Sequence, residues 1–386
     1  MNAMGEGSDI YRSQMDFGGV IFFIDIEYGN MTHPGEIFHR PQETFEKIEP
    51  LRKAIKDSLE NKGLSHLELM TGQGYNYATK INRDSASYKA LVETGKKLRV
   101  MPWTSALKLI EKERKHGNMP LLKDSLAFGA LGRITEYLYD TIRNEYTQLP
   151  MVESDLFDNN EIAIFDTTQY GYLLNNRLNR IAFSLHQKSQ KKPELAYFGP
   201  PISTIPPSGL SLESRISIRS DNTDNYHKAA ELAREANTRI PESDISFLLS
   251  SYLMSDHYKK HSSDNEMLEP KILNDEEQDI IGRLYPDIEV VGTFWNTPQN
   301  PDWNMINSAP ISHHARRVID HPNDLLLKPW DIRHLILELD SHDVPKEQII
   351  SLISYKYGEK HHNWNVDLNR NNPEQRAEYW VRTFLK

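Results

Sequence analysis

The feature that most constrains this chain is its most hydrophobic stretch, Gly18 to Tyr28, which reads GGVIFFIDIEY. Its length and its content of β-branched and aromatic residues predict a buried central strand. Asp25 and Glu27 interrupt the run, and both carboxylates project from one face because side chains alternate along a strand. Two like charges on a core strand repel each other and are costly to desolvate. The pair is either solvated or paired with cations, or it belongs to a divalent-metal site, which the apolar flanks favour.

A second apolar run also ends in a carboxylate. Residues 162–166 read IAIFD, so Asp166 is expected where a buried strand leaves the core. The later stretch Arg180 to Lys188, RIAFSLHQK, contains a guanidinium, a hydroxyl, an imidazole and an ammonium group. Cations and hydrogen-bond donors beside an exposed carboxylate suit a metal-bound triphosphate.

A glycine turn lies between these two regions. Residues 66–80 read as two strands joined by Thr71-Gly-Gln-Gly74. Paired glycines let a backbone approach a ligand and expose N–H groups to an anion. The same pattern is also typical of an ordinary hairpin.

Other segments show helical periodicity. Apolar residues at three- and four-residue steps predict a helix over 42–62 that Gly63 ends. Further helices are predicted within 84–148, at 224–237 and 242–256, and in the tail at 329–339, 345–357 and 373–385.

Three segments are predicted to be less regular or extended. Residues 1–17 are polar and predict a frayed start. Ser214 to Arg219 alternates like a short strand. Residues 256–280 are rich in charge, serine and asparagine and predict a polar connection.

Composition excludes several classes of function. The chain has 386 residues, a formal net charge of −10 and no cysteine, so disulfides, thiolate zinc sites and cysteine nucleophiles are excluded. The chain as a whole is acidic, so its overall charge does not indicate nucleic-acid binding. Such binding would need a local patch of basic residues. No apolar run approaches the length of a membrane span, and the first thirty residues lack a signal-peptide pattern. We therefore expect a cytoplasmic protein with no membrane partner.

Taken in order, the motifs resemble those of the archaeo-eukaryotic primase superfamily, which includes primase small subunits and primase-polymerases. That family has two acidic residues separated by one, then a Ser-Gly-x-Gly-Tyr-His-like turn, then an acidic residue that ends a strand. An Arg-x-Pro-Phe/Tyr-Ser-Leu-His-x-Lys segment follows. It is the most specific part of the match, and the identical positions are Arg180, Phe183, Ser184, Leu185, His186 and Lys188. The likeness covers about residues 18–207.

The chain departs from the family pattern at several places. Thr71 replaces the serine of the turn and Asn76 its histidine, so the predicted phosphate contact is weaker, because an amide donates hydrogen bonds without carrying charge. Ala182 replaces the proline. The cysteine-based zinc module of many relatives is impossible in a chain without cysteine.

The resemblance implies a role for each motif. Asp25, Glu27 and Asp166 would be the catalytic residues and would hold Mg²⁺ or Mn²⁺. The nucleotide would be bound by two groups of residues on opposite sides. They are Arg180, Ser184, His186 and Lys188 on one side, and Thr71, Gly74 and Asn76 on the other.

The resemblance also implies the architecture and the partners. We expect an α+β protein with a primase-polymerase (RRM-like) catalytic core over residues 1–220. A mainly helical accessory domain would occupy 221–386, with the polar connection around 256–280. The expected activity is template-directed nucleotidyl transfer, making or extending RNA or DNA. The expected partners are single-stranded DNA, nucleoside triphosphates, and a helicase or other replication protein. The alternative is a catalytically weak relative that binds nucleic acid or a partner protein.

Overall fold

The computed structural model describes residues 10–16, 18–30, 32–33, 35–98, 122–146, 149–153, 161–171, 178–186, 202–206, 209–219, 223–266, 270–271, 294–295, 300–320, 329–358 and 373–385. Contacts between Cα atoms divide the chain into two compact units. The first comprises residues 1–91, 131–167 and 177–257, and the second comprises 92–130, 168–176 and 258–386. The domain boundary predicted at residue 220 stays a prediction.

The first unit is built on a mixed sheet. Its strands are β1 (Tyr11–Ser13), β2 (Met15–Asp16), β3 (Gly19–Asn30), β4 (Leu67–Met70), β5 (Gly74–Asn82), β6 (Met151–Glu153), β7 (Glu161–Phe165) and β8 (Leu178–Arg180). The order across the sheet is β4-β5-β3-β7-β6, with β2 also paired to β3. Neighbours are antiparallel except β6 and β7, which are parallel. Strands β1 and β8 form a separate antiparallel pair.

The predicted central strand is confirmed, since β3 pairs with β5 on one side and β7 on the other. One of its faces carries Ile24 and Ile26, which are almost completely buried. A long helix covers this face, and its Phe45 ring meets Tyr75 edge-on at 5.6 Å. Because Tyr75 is the register partner of Ile26, this contact identifies the covered face. Asp25 and Glu27 therefore project from the opposite face.

Helices complete both units. Their bounds are α1 Glu36–His39, α2 Pro41–Asn61, α3 Ala86–Lys97, α4 Leu122–Glu145, α5 Leu212–Arg219, α6 Thr223–Glu235, α7 Ser246–Leu253, α8 Asp256–Glu266, α9 Trp303–Ser308, α10 His313–Asp320, α11 Pro329–Ser341, α12 Lys346–Gly358 and α13 Pro373–Phe384. Helix α2 matches the prediction over 42–62, and the last three match the predicted tail helices. The α+β class is confirmed.

The tail helices share an apolar core of their own, in which Trp380 is 1% exposed. The second unit also contains a short strand pair, β9 (Pro270–Lys271) with β10 (Phe294–Trp295). None of the helices in the described ranges combines the length and apolar composition that a membrane span requires.

Two predictions of irregular structure were wrong. Residues 11–16 of the supposedly frayed start form strands β1 and β2, because β1 pairs with β8 and β2 with β3. Residues 256–266, the first part of the predicted polar connection, form helix α8. In that helix His257 lies 3.6 Å from Asp140 of α4 and stacks edge-on against Tyr137, so its first turn is held by tertiary contacts.

The predicted strand at Ser214–Arg219 was also wrong, since these residues belong to helix α5. The alternating pattern is too short to separate a period of two from a helical period. The deciding contact is long-range: Arg215 Nη2 donates to Glu49 Oε1 of α2 at 2.7 Å.

Candidate active site

Three polar residues form a row across three adjacent strands. Asp25 of β3 is the register partner of Asn76 on β5. On its other side, the backbone N–H of Asp166, directly after β7, donates to the backbone carbonyl of Asp25 at 2.9 Å. Directly opposed residues of antiparallel strands share a face and lie close together. Asn76, Asp25 and Asp166 are therefore side by side on one face of the sheet.

Glu27 belongs to the next row of the same face. Its register partners are Gly74 on β5 and Ile164 on β7. Strand β5 approaches β3 so closely here that a Cβ atom on Gly74 would come within 1.9 Å of the carbonyl oxygen of Ile26. Only glycine fits that position. Asp25, Glu27 and Asp166 are all half-buried.

Asn76 makes a direct contact with the first carboxylate. Its Nδ2 donates to Asp25 Oδ1 at 2.6 Å. A donor–acceptor distance this short is typical of a hydrogen bond to a charged carboxylate. The predicted contact of Asn76 with a nucleotide phosphate stays a prediction, and in this structure the amide is used to hold Asp25.

The glycine turn is held together by Thr71. Its hydroxyl accepts from the N–H groups of Gln73 at 3.3 Å and Gly74 at 3.1 Å. The Gln73 carbonyl in turn accepts from the N–H of Tyr28 at 2.8 Å, which fixes the turn to the end of β3. The N–H groups predicted to face an anion thus have a partner within the turn. Nucleotide binding by Thr71 and Gly74 stays a prediction.

His186 lies against this turn. A Cβ atom on Gly72 would come within 2.5 Å of the His186 ring, so the imidazole rests on the glycine backbone. The ring is 1% exposed, and its centroid is 6.1 Å from that of Phe38. The structure therefore brings together two motifs that are far apart in the sequence.

A short ladder of backbone contacts positions His186. Leu185 forms an antiparallel bridge with Ile202, and Thr204 forms one with Met70 at the end of β4. The segment 202–204 thus lies between β4 and the segment that ends in His186.

Arg180 and Ser184 contact the N-terminal strand. The hydroxyl of Ser184 accepts from the N–H of Ile10 at 2.6 Å. Arg180 Nη2 donates to the hydroxyl of Tyr11 at 2.8 Å, and its guanidinium lies 5.0 Å from the centre of that ring. Arg180 Nε also donates to the carbonyl of Leu185 at 3.3 Å. Two residues predicted to bind phosphate thus hold β1 in place here, and their nucleotide contacts stay predictions.

Phe183 has a backbone conformation that the sequence does not reveal. Its φ is 61°, in the left-handed region that a bulky residue rarely adopts. Such strain is most often found at functional sites, where the surrounding structure holds it. Here it occurs three residues before His186. Lys188 lies outside the described residues.

The carboxylates fit a hard divalent cation in chemical type. Oxygen ligands are those that Mg²⁺ and Mn²⁺ prefer, and Asp25, Glu27 and Asp166 share one face of the sheet. Across the described ranges, however, no three histidine or acidic side chains are already close enough together to hold a metal ion. The three carboxylates are neighbours on the sheet, but they do not form a preformed coordination site. The metal site stays a prediction.

The carboxylate of Glu36, in helix α1, is held against the end of β3. Tyr28 Oη and Asn30 Nδ2 each donate to Glu36 Oε2 at 2.6 Å. The hydrogen bond from Tyr28, which outweighs the opposing effect of burial, holds the pKa of Glu36 below its ordinary value. Burial and the neighbouring carboxylate raise the pKa of Tyr28.

The face of the sheet that is covered by α2, opposite Asp25 and Glu27, carries an ionic network. Tyr75, next to Asn76 on β5, donates to Glu49 at 2.6 Å. Burial raises the pKa of Glu68, although Arg52 Nε lies 2.8 Å from its carboxylate without the alignment of a hydrogen bond. These groups fix β4 and β5 against helix α2.

Comparison with protein-family models, curated proteins and solved structures finds no match to this chain.

Proposed function

We propose that this chain is a metal-dependent, template-directed nucleotidyltransferase of the primase or primase-polymerase kind, with a catalytic core of the corresponding RRM-like fold. The observation that carries the proposal is the placement of the half-buried Asp25, Glu27 and Asp166 on one face of the sheet. Asp25 and Asp166 are opposed across β3 and the end of β7. The substrates would be nucleoside triphosphates and a single-stranded DNA template.

The three carboxylates would hold Mg²⁺ or Mn²⁺. When bound, such an ion neutralises phosphate charge and activates the attacking 3′-hydroxyl group. Asp25 would be oriented by the amide of Asn76, which already donates to it. Glu27 would present its oxygens from the adjacent row of the same face.

His186 would position the nucleotide. Its contact with Gly72 places it at the turn that follows β4, beside the strands that carry the carboxylates. Arg180, Ser184 and Lys188 would add donors and positive charge. We propose that the protein acts in the cytoplasm, and that the helices of the tail serve contacts with DNA, a helicase or another replication protein.

The test is nucleotidyl transfer on a primed and an unprimed single-stranded template with Mg²⁺ or Mn²⁺. The variant Asp25→Asn/Glu27→Gln removes two carboxylate charges while keeping side-chain shape. Its matched control is Asp57→Asn/Glu60→Gln, the same exchange at exposed positions of helix α2. Transfer by wild type and control but not by the site variant supports the proposal. No transfer by wild type across templates and metals contradicts it.

A second candidate is a catalytically weak relative that binds nucleic acid or a partner protein. It is favoured by the contacts that Asp25, Arg180 and Ser184 already make with Asn76 and the N-terminal segment. This candidate predicts binding of single-stranded DNA that survives Asp25→Asn/Glu27→Gln, with no transfer by the wild type.

A further inference from the structure

A cavity of about 200 Å³ lies on the same face of the sheet as Asp25 and Glu27. Its floor is apolar and consists of side chains that alternate onto this face, Ile21, Phe23, Leu67, Leu69 and Ala78. The facing walls come from β1, from β8, from the residues that follow each of them, and from Thr238 and Ile240.

The floor of the cavity runs into the row of polar residues. Phe23 precedes Asp25 by two positions, so its side chain lies roughly 6–7 Å along the strand on the same face. Leu69 of β4 is the register partner of Asn76. A ligand in the cavity would therefore lie next to Asn76 and Asp25.

One polar side chain of the wall lacks the partner that burial demands. Asn179 of β8 is 8% exposed and lines the cavity. Its Nδ2 has no hydrogen-bond acceptor within the described part of the chain. A buried donor without an acceptor destabilises a fold, so such a group indicates an acceptor that a ligand would supply.

The neighbours of Asn179 in the wall are donors as well. Arg12 is its register partner on β1, and Arg180 is the next residue of β8. Guanidinium groups have no acceptor atoms, so neither side chain can accept a hydrogen bond from Asn179 Nδ2. The wall also contains the amide of Gln14 and the hydroxyl of Ser13, so it favours a ligand whose edge carries acceptors for Asn179 beside donors.

We propose that this cavity binds the base of a nucleotide. A cavity of about 150 Å³ is enough for a benzene ring, so the space here accommodates a planar heterocycle. The apolar floor with Phe23 suits the faces of such a ring, and Asn179 would donate to a carbonyl oxygen or ring nitrogen on an edge that pairing with a template leaves free. That the base belongs to the substrate rests on the proposed function. The binding of a base in this cavity does not depend on the proposed function.

The experiment measures binding of the four ribonucleosides to the full chain by calorimetry in EDTA. Nucleosides lack phosphates, so the carboxylates and any metal are irrelevant to this measurement. Parallel titrations with nucleoside triphosphates and Mn²⁺ show whether phosphates add affinity at the same site. Asn179→Leu removes the donor, and Ala78→Leu fills the floor. Asn61→Leu, at an exposed position near the end of α2, is the matched control for the first exchange.

We expect at least one nucleoside to bind, and both cavity variants to weaken it tenfold or more while the control does not. The Tm of Asn179→Leu should equal or exceed that of the wild type, because the exchange removes an unsatisfied buried donor. A residue with a merely structural role would instead lower Tm. If Ala78→Leu fails to fold, Asn179→Leu decides alone.

The inference is overturned if no nucleoside binds, or if binding is the same in wild type and both variants, even when nucleotidyl transfer is observed. Conversely, nucleoside binding that depends on Asn179 supports the inference even when no transfer is observed. The two proposals therefore fail independently.

Discussion

The imidazole of His186 lies directly on Gly72, so that a methyl group on Gly72 would approach the His186 Cγ atom to 2.5 Å and Nδ1 to 2.7 Å. The three atoms nearest to such a methyl group all belong to the His186 ring. The contact joins the glycine turn after β4 to the segment that carries Arg180 and Ser184.

Gly72→Ala should displace His186 while leaving the sheet intact. Overpacking of this kind costs about 1–3 kcal/mol of the free energy of unfolding. If His186 positions the nucleotide, apparent nucleotide affinity should fall about tenfold, which corresponds to about 1.4 kcal/mol. Denaturant unfolding and nucleotide titration measure the two effects.

The matching control is a double-mutant cycle. In a His186→Ala background the added methyl group has space, so Gly72→Ala should cost less than half of what it costs in the wild type. Equal costs in both backgrounds would show that the methyl group disturbs something other than His186.

Asp166→Asn should remove one negative charge from the polar row without disturbing the backbone hydrogen bond from Asp166 to Asp25. We expect nucleotidyl transfer to fall by about 100-fold or more, because loss of several kcal/mol of charge stabilisation has that effect. Tm should change little. Asp84→Asn, at an exposed position after β5, is the control and should keep full activity. An Asp166→Asn protein with wild-type activity would remove Asp166 from the catalytic assignment.

The elements predicted correctly are those whose signal is local. Strand β3 has a long apolar run and helix α2 has an uninterrupted periodicity, so each pattern decides its structure alone. The shared face of Asp25 and Glu27 follows from strand period alone. The row from Asn76 through Asp25 to Asp166 does not, because it depends on the pairing and register of three strands far apart in the sequence.

The elements predicted wrongly depend on distant partners. Tyr11 and its neighbours look like a polar, frayed start, and they become a strand only because β8 pairs with them. Residues 214–219 alternate like a short strand, and they form a helix in which Arg215 is buried and donates to the distant Glu49. No local pattern indicated the cavity at Asn179, since its floor and walls together draw on five separate strands.

Asn76→Asp should make the polar row dependent on a cation. The new carboxylate would face Asp25 in place of an amide that now donates to it at 2.6 Å. Like charges directly opposite each other on a sheet destabilise it, here by about 1 kcal/mol in EDTA. Added Mn²⁺ should raise the Tm of this variant more than that of the wild type.

The control for this exchange is Asn82→Asp at the far end of β5. Asn82 donates to the exposed Glu242 at 3.1 Å, so the variant creates a similar carboxylate pair away from the row. It should show no recovery with Mn²⁺. The same response to Mn²⁺ in both variants would mean that the row has no special affinity for the cation.

Tyr28→Phe should destabilise the protein in a manner that depends on pH. The hydrogen bond from Tyr28 is the main reason that the pKa of Glu36 lies below its ordinary value, with Asn30 and the charges of Lys47 and His33 acting in the same direction. A carboxyl group whose pKa is lower in the folded state contributes stability above the unfolded pKa of about 4.5, and that contribution is lost as pH falls. The variant should therefore lose about 1–2 kcal/mol at pH 7, and less as the pH falls through the lowered pKa of Glu36, because a protonated carboxyl group is a weaker acceptor.

Urea unfolding at pH 7, 5 and 3 measures this difference, and Tyr146→Phe provides the comparison. The hydroxyl of Tyr146 donates to the backbone carbonyl of Lys47 at 3.0 Å, an acceptor that does not titrate. Its loss should cost the same free energy at all three pH values. If the cost of Tyr28→Phe is equally constant, the carboxylate of Glu36 is not the partner that gives the Tyr28 hydrogen bond its strength, and the end of β3 is held by other contacts.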